Sequence, residues 1–213
     1  MELGDAIGGL MRGRRITSAL LGLMLGTAAR AAPPVWNFST AAFGYIVPDD
    51  ADYLQPSGTA DRGVLHLEGR YNYEELETGS LWAGYNLGGG EAVTFELTPM
   101  LGAAFGATGG IAPGYRLSLE WRRLGLSSEG EYLFDFADRA DSFFYTWSEL
   151  TISTANGIRA GLVLQKTRAY ESPREVQRGF LVGFHFRRAE IAAYLFNPDD
   201  DRPLGVVSVS AAF

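Results

Sequence analysis

His66, Glu68 and Arg70 stand at intervals of two residues, and Arg116, Glu120 and Arg122 repeat the even spacing further along the chain. That spacing puts side chains on one face of a β-strand, so imidazole, carboxylate and guanidinium groups would gather on a common surface. Three kinds of chemistry use such groups: acid–base transfer, metal ligation, and selection of charged solutes by rings of side-chain charge. Only His66 and His185 could serve as imidazole bases. No G-x-S-x-G nucleophile elbow occurs, and Ser148-Glu149 is not a recognised nucleophile setting. Two histidines in separate strands do not make a metal site, although Glu68 could complete one beside His66. With no cysteine, thiolate ligation and disulfides are excluded. The sequence therefore predicts no catalytic set, cofactor or resident metal, and the charge reading is the one to carry forward.

The elements that would position these groups are strands. Twelve strand-like runs fall near 36–47, 53–60, 64–74, 79–87, 92–104, 113–123, 129–136, 142–153, 158–168, 177–186, 189–196 and 204–213, with no convincing helix among them. The links between them sort into two kinds. Tight ones are Asp61-Arg62-Gly63, Gly88-Gly89-Gly90, Gly125 to Ser128, Ala155-Asn156-Gly157 and Arg187-Arg188. Longer ones run from Pro48 to Asp52, Glu75 to Thr78, Ala104 to Ala112, Ala137 to Asp141, Ala169 to Val176 and Asn197 to Pro203. Strict alternation of short and long links is expected of an antiparallel transmembrane β-barrel, with tight turns on the periplasmic side and long loops outside. The prediction is all-β with twelve strands. A ten-strand alternative would leave 33–62 as a periplasmic segment or plug.

Alternation within the runs assigns the faces. Leu65, Leu67, Tyr71 and Tyr73 would face lipid, with His66, Glu68, Arg70, Asn72 and Glu74 in the lumen. Tyr115, Leu117, Leu119 and Trp121 would face lipid opposite Arg116, Ser118, Glu120 and Arg122. By the same parity Thr94, Glu96, Thr98, Glu129, Glu131, Asp135, Arg159, Gln165, Thr167 and His185 point inward. Near 142–153 the pattern breaks step, since Phe143, Tyr145 and Trp147 are odd but Leu150 and Ile152 even, which predicts a β-bulge at Trp147-Ser148. Trp36, Tyr45, Tyr53, Tyr73, Trp82, Tyr132 and Trp147 lie toward strand ends, where aromatic rings favour the membrane interface.

At the amino end, Met11-Arg12-Gly13-Arg14-Arg15, the apolar run Ile16 to Thr27 and Ala29-Arg30-Ala31 read as a signal peptide over 1–31, with Met11 a plausible start. Residues 32–213 would then form a single barrel domain. The formal charge of −7 argues against nucleic-acid binding. The acidic stretches Asp49-Asp50-Ala51-Asp52, Glu74-Glu75-Leu76-Glu77 and Asp199-Asp200-Asp201 suit solvated turns, and none has the spacing of a calcium-binding loop.

The leader, the alternating strands, the sorted links and the run Val206 to Ser210 ending on Phe213 together resemble the Gram-negative outer-membrane β-barrel proteins of modest size. That resemblance implies an outer-membrane location, contact with lipid and lipopolysaccharide, insertion by the barrel-assembly machinery with Phe213 as its signal, and a monomer. The polar lumen itself adds the reading of a channel for small hydrophilic solutes, its bore, if open, set by Arg70, Arg116 and Arg122 against Glu68, Glu96 and Glu120. The rival is a plugged structural or surface-binding barrel. The two separate on whether the inward charges meet across the lumen.

Overall fold

A computed structural model describes residues 34–169 and 175–213; the signal peptide expected over 1–31 and most of the link around 170–174 lie outside the described residues. The strands are β1 (Asn37–Ile46), β2 (Tyr53–Arg62), β3 (Leu65–Tyr71), β4 (Thr78–Tyr85), β5 (Leu87–Gly89), β6 (Thr94–Gly106), β7 (Gly110–Trp121), β8 (Leu124–Asp135), β9 (Phe143–Ser153), β10 (Ile158–Ala169), β11 (Glu175–Phe186), β12 (Ala189–Phe196) and β13 (Leu204–Ala212). β4 and β5 are one stave of the wall. Both pair with β6 in a single register, and the ladder breaks opposite Pro99, which has no N–H to donate. β1 pairs with both β2 and β13, so the sheet closes as an antiparallel barrel of twelve staves.

Closure satisfies every edge, which a strand wall in lipid requires. The strands lean strongly: Ala41 in mid-β1 stands level with Ser57, Arg70, Ser80 and Ala104, then with Gly110 and Asp135 at the extreme ends of β7 and β8. Outside, the wall is apolar. Leu81, Leu101, Phe134, Ile152, Phe180, Val182, Ile191 and Val209 are all exposed. A predominantly apolar exterior of this kind fits a bilayer and would be a liability in water.

The alternation of turns holds with three corrections. Gly88 and Gly89 lie within β5, paired with Glu96 and Phe95, and the turn there is 90–93. Gly125 to Ser128 lies within β8, and the turn is Arg122-Arg123, with Arg122 at φ 57. The link expected from Ala104 to Ala112 shrinks to 107–109, because β6 runs on to Gly106. The ten-strand alternative fails, since β2 and β3 form a hairpin over Gly63, at φ 60, and β1 closes the barrel. No bulge occurs at Trp147-Ser148: β9 holds one register against both β8 and β10. Its odd residues face inward throughout, so Tyr145 and Trp147 are lumen residues. Tyr45 and Trp82, expected at the membrane interface, are likewise buried inside at 3% exposure. Tyr73 follows Asn72, which takes φ 58; that residue flips the parity, and Tyr73 turns in over the lumen.

Trp82 lies flat against the wall because two neighbours lack side chains. A Cβ on Gly102 would collide with its Cδ2, and one on Gly114 would stand 3.0 Å from its Cζ3. Gly102→Val is therefore expected to force the indole off the wall and destabilise the barrel by about 1–3 kcal/mol. Gel heat-modification would register this as a lower unfolding temperature, while Ala103→Val, one residue along on the outer face, should leave it unchanged.

Candidate functional site

The lumen is layered. Along β12 the inward residues from the short-turn end to the long-loop end are Glu190, Ala192, Tyr194 and Phe196. Along β9 they are Thr151, Glu149, Trp147, Tyr145 and Phe143; along β1, Ser39, Ala41, Phe43 and Tyr45; along β13, Ser210, Ser208, Val206 and Leu204. Each file passes from small or polar to large and apolar. The long-loop half is consequently packed with side chains.

One apolar cluster joins Tyr45, Tyr145, Trp147, Val163, Leu181, Tyr194, Phe196 and Val206. A second, on the opposite wall, joins Trp82, Met100, Ala104, Ala112 and Leu133, and Phe143 touches both. Trp147 meets Phe43, Tyr194 and Phe196 edge-on at centroid distances of 5.9, 5.3 and 5.2 Å. Such tilted aromatic pairs each add roughly 0.5–1.5 kcal/mol beyond their burial.

Between the clusters lies a charged knot. Arg70 on β3 reaches over β4, β6 and β7 to Glu131 on β8, at 2.8 Å, and holds Glu68 through Nε at 2.9 Å. Its guanidinium sits 4.3 Å from the ring centre of Tyr73 and 4.5 Å from that of Trp82, and its side chain is 1% exposed. A planar, delocalised cation suits this slot, having a carboxylate at each edge and an aromatic ring against each face. Tyr73 donates its hydroxyl to Glu129 on β8. His66 uses both ring nitrogens, one toward Asp61 at 2.8 Å and one toward Glu68 at 3.3 Å. Arg116 adds a longer contact to Glu68, 3.6 Å.

A second ionic group stands on the far wall. Arg159 on β10 binds Glu149 on β9 and Glu190 on β12, both at 2.6 Å. To reach β12 it crosses β11 at Gly183, where a Cβ would come within 3.1 Å of its Nε.

Below these layers the bore opens into a cavity of about 620 Å³ toward the short turns. Asp61, Glu96, Glu129 and Glu149 line it with Arg116, and Trp147 forms part of its boundary with the apolar plug. A further hollow of about 440 Å³ at the mouth takes Glu120, Arg122, His185 and Glu190.

The residues expected to set the pore are thus divided among three places. Arg70, Glu68 and Glu131 form the buried knot, with His66 on its flank. Glu96 and Arg116 line the cavity. Glu120, Arg122, Arg159 and His185 border the mouth, Arg122 from its turn with its guanidinium 5.1 Å from the Trp121 ring. Gln165 is half-buried opposite Trp147, above the cavity. Sequence reasoning missed the aromatic half of the lumen, although Glu149 and Thr151 already fix the inward parity of β9.

No protein-family model and no curated protein matches this sequence. Among solved structures the chain is similar to the KdgM porin, at 10% identity and a TM-score of 0.62, with 82% of this chain and 99% of that one covered. The KdgM porin in complex with disordered oligogalacturonate aligns over the same shares at 10% identity and a TM-score of 0.58. OccK5 of Pseudomonas aeruginosa aligns at 7% identity and a TM-score of 0.46, over 84% of this chain and 66% of that one. The fold is that of the porin-like β-barrels. The closed antiparallel architecture and the apolar exterior are those of a barrel of the bacterial outer membrane.

Proposed function

We propose that this barrel is a channel for small hydrophilic solutes, with a preference for cations, held shut at rest by its own side chains. The observation that carries the reading is the crossing of the lumen by Arg70, which ties β3 to β8 between the two apolar clusters. A buried ion pair is poor evidence of a need for stability, because apolar residues of the same volume often do as well. Its value here would be reversibility: charged groups can move apart when water enters, whereas a purely apolar plug has no hydrated alternative. The vestibule beneath supports the solute class. Four carboxylates line it against Arg116 and the His66 imidazole; Glu149 is paired with Arg159 and Asp61 with His66, so Glu96 and Glu129 supply the acid excess over Arg116 that raises the local concentration of cations. The oligogalacturonate held by the KdgM porin would meet repulsion in this vestibule, so neutral or cationic solutes are the better candidates.

The selectivity test uses a barrel opened by Arg70→Ala. In a salt gradient across a planar bilayer the reversal potential should report cation preference, and Glu96→Gln with Glu129→Gln should reduce it. An anion preference in the opened barrel, or no response to the two substitutions, would overturn the selectivity.

A further inference from the structure

The outer wall carries a site that is independent of whether the bore conducts. Across β8 to β11 a groove of about 560 Å³ runs over the lipid-facing surface. Its floor is a level row of four apolar residues, Leu126, Leu150, Leu162 and Phe180, each directly opposite the next. Ser148, Leu164 and Arg178 form the adjoining row on the long-loop side. Lys166 stands one step further, opposite Thr146 and Val176. Pro198 and Asp199 from the last loop close that end.

The two cations are differently engaged. Arg178 is 71% exposed and paired with Asp199 at 2.6 Å. Lys166 has its ammonium 5.2 Å from the ring centre of Phe144 and forms no ion pair among the described residues. An ammonium at the edge of a bilayer, above an apolar groove, has the polarity of a lipid's binding partner. The other loops at this end carry the acids Asp49, Asp50, Asp52, Glu75, Glu77, Asp138 and Asp141, which repel phosphate. The last loop also carries Asp199, Asp200 and Asp201, so a phosphate on Arg178 takes the place of Asp199, while Lys166 has no such competitor among the described residues.

The geometry points to a binding site for one phosphorylated lipid of the outer leaflet, with its phosphate on Lys166 and Arg178 and one acyl chain along Leu164, Leu162 and Leu150. Basic residues near a membrane surface attract anionic headgroups, and the charge-assisted contacts to phosphate add geometric preference. The groove supplies contact along a chain that a smooth barrel wall would not.

Native mass spectrometry of the detergent-solubilised barrel tests this, with lipid A, diacylglycerol and inorganic phosphate as separate probes. One lipid A per barrel should be retained, with diacylglycerol and inorganic phosphate each held far less. Lys166→Ala should weaken retention by about tenfold, the order expected for losing one charge-assisted contact. Leu162→Trp, which fills the groove, should weaken it similarly, whereas Lys166→Arg and the distant outer-face change Val209→Trp should not. Heat-modification on gels checks that each variant folds. Retention of lipid A at the parent level by both Lys166→Ala and Leu162→Trp overturns the site, and inorganic phosphate binding as tightly as lipid A excludes the groove's part in it. A lipid-free dimer that Leu162→Trp dissociates would give the groove to a second copy of the chain. Channel activity is unaffected in each case, so this test and that of the bore fail separately.

Discussion

Arg70→Ala is expected to destabilise the barrel by about 3–5 kcal/mol and to make it conduct. The stability loss follows from what remains behind: Glu68 and Glu131 stay buried without the cation that compensates both. Two carboxylates facing a dry slot between Tyr73 and Trp82 will draw water in, and water is what opens a path between the apolar clusters. A companion variant separates charge from packing. Combining Arg70→Met with Glu68→Gln and Glu131→Gln removes the uncompensated charges and keeps most of the volume, so it should recover much of the stability and stay shut. Urea unfolding monitored by gel mobility checks the first quantity, and bilayer recording the second. Equal conductance in both variants would mean that the volume of Arg70, and not its charge, closes the bore.

Trp147→Ala should have the next largest effect, a loss of about 3–5 kcal/mol as for other buried tryptophans. The indole packs on Phe43, Tyr194 and Phe196 and donates to Glu149 at 2.9 Å, so it is both the floor of the apolar cluster and part of the vestibule wall. Removing it extends the vestibule upward without touching the Arg70 knot. A thiol-reactive probe applied from the short-turn side therefore gains access to a cysteine placed at Val206, which is 1% exposed in the parent barrel. Labelling of Val206→Cys only when Trp147 is also alanine is the expected result. Labelling at the same rate in both backgrounds would contradict the layered lumen.

Strand number, strand order and outward face were legible in the chain because a period of two is a strong signal wherever polar and apolar residues alternate. His66, Glu68 and Arg70 opposite Leu65, Leu67 and Tyr71 are such a case. The interior was less legible where both faces of a strand are apolar. In β9, Tyr145 and Trp147 share their face with Glu149 and Thr151, yet their apolar character suggested the lipid side, and a bulge was inferred to reconcile them. The same bias placed Tyr45 and Trp82 at the membrane interface. Aromatic residues are equally suited to lipid and to a dry plug, and only the unbroken register of the ladders decides between them. The Arg70–Glu131 contact was beyond reach for another reason: it spans four staves, and its partners share no local pattern. Turn chemistry also misled at Gly125 to Ser128, where glycine and serine signalled a turn although Arg122 takes the positive φ.

On the proposed mechanism the bore is closed by its own side chains and opens when the Arg70 knot is broken. Single-channel recording of the folded parent barrel beside Arg70→Ala tests it most directly. A silent, heat-modifiable parent and discrete conductance steps in the variant are expected; stable steps of the same size in the parent would contradict the mechanism.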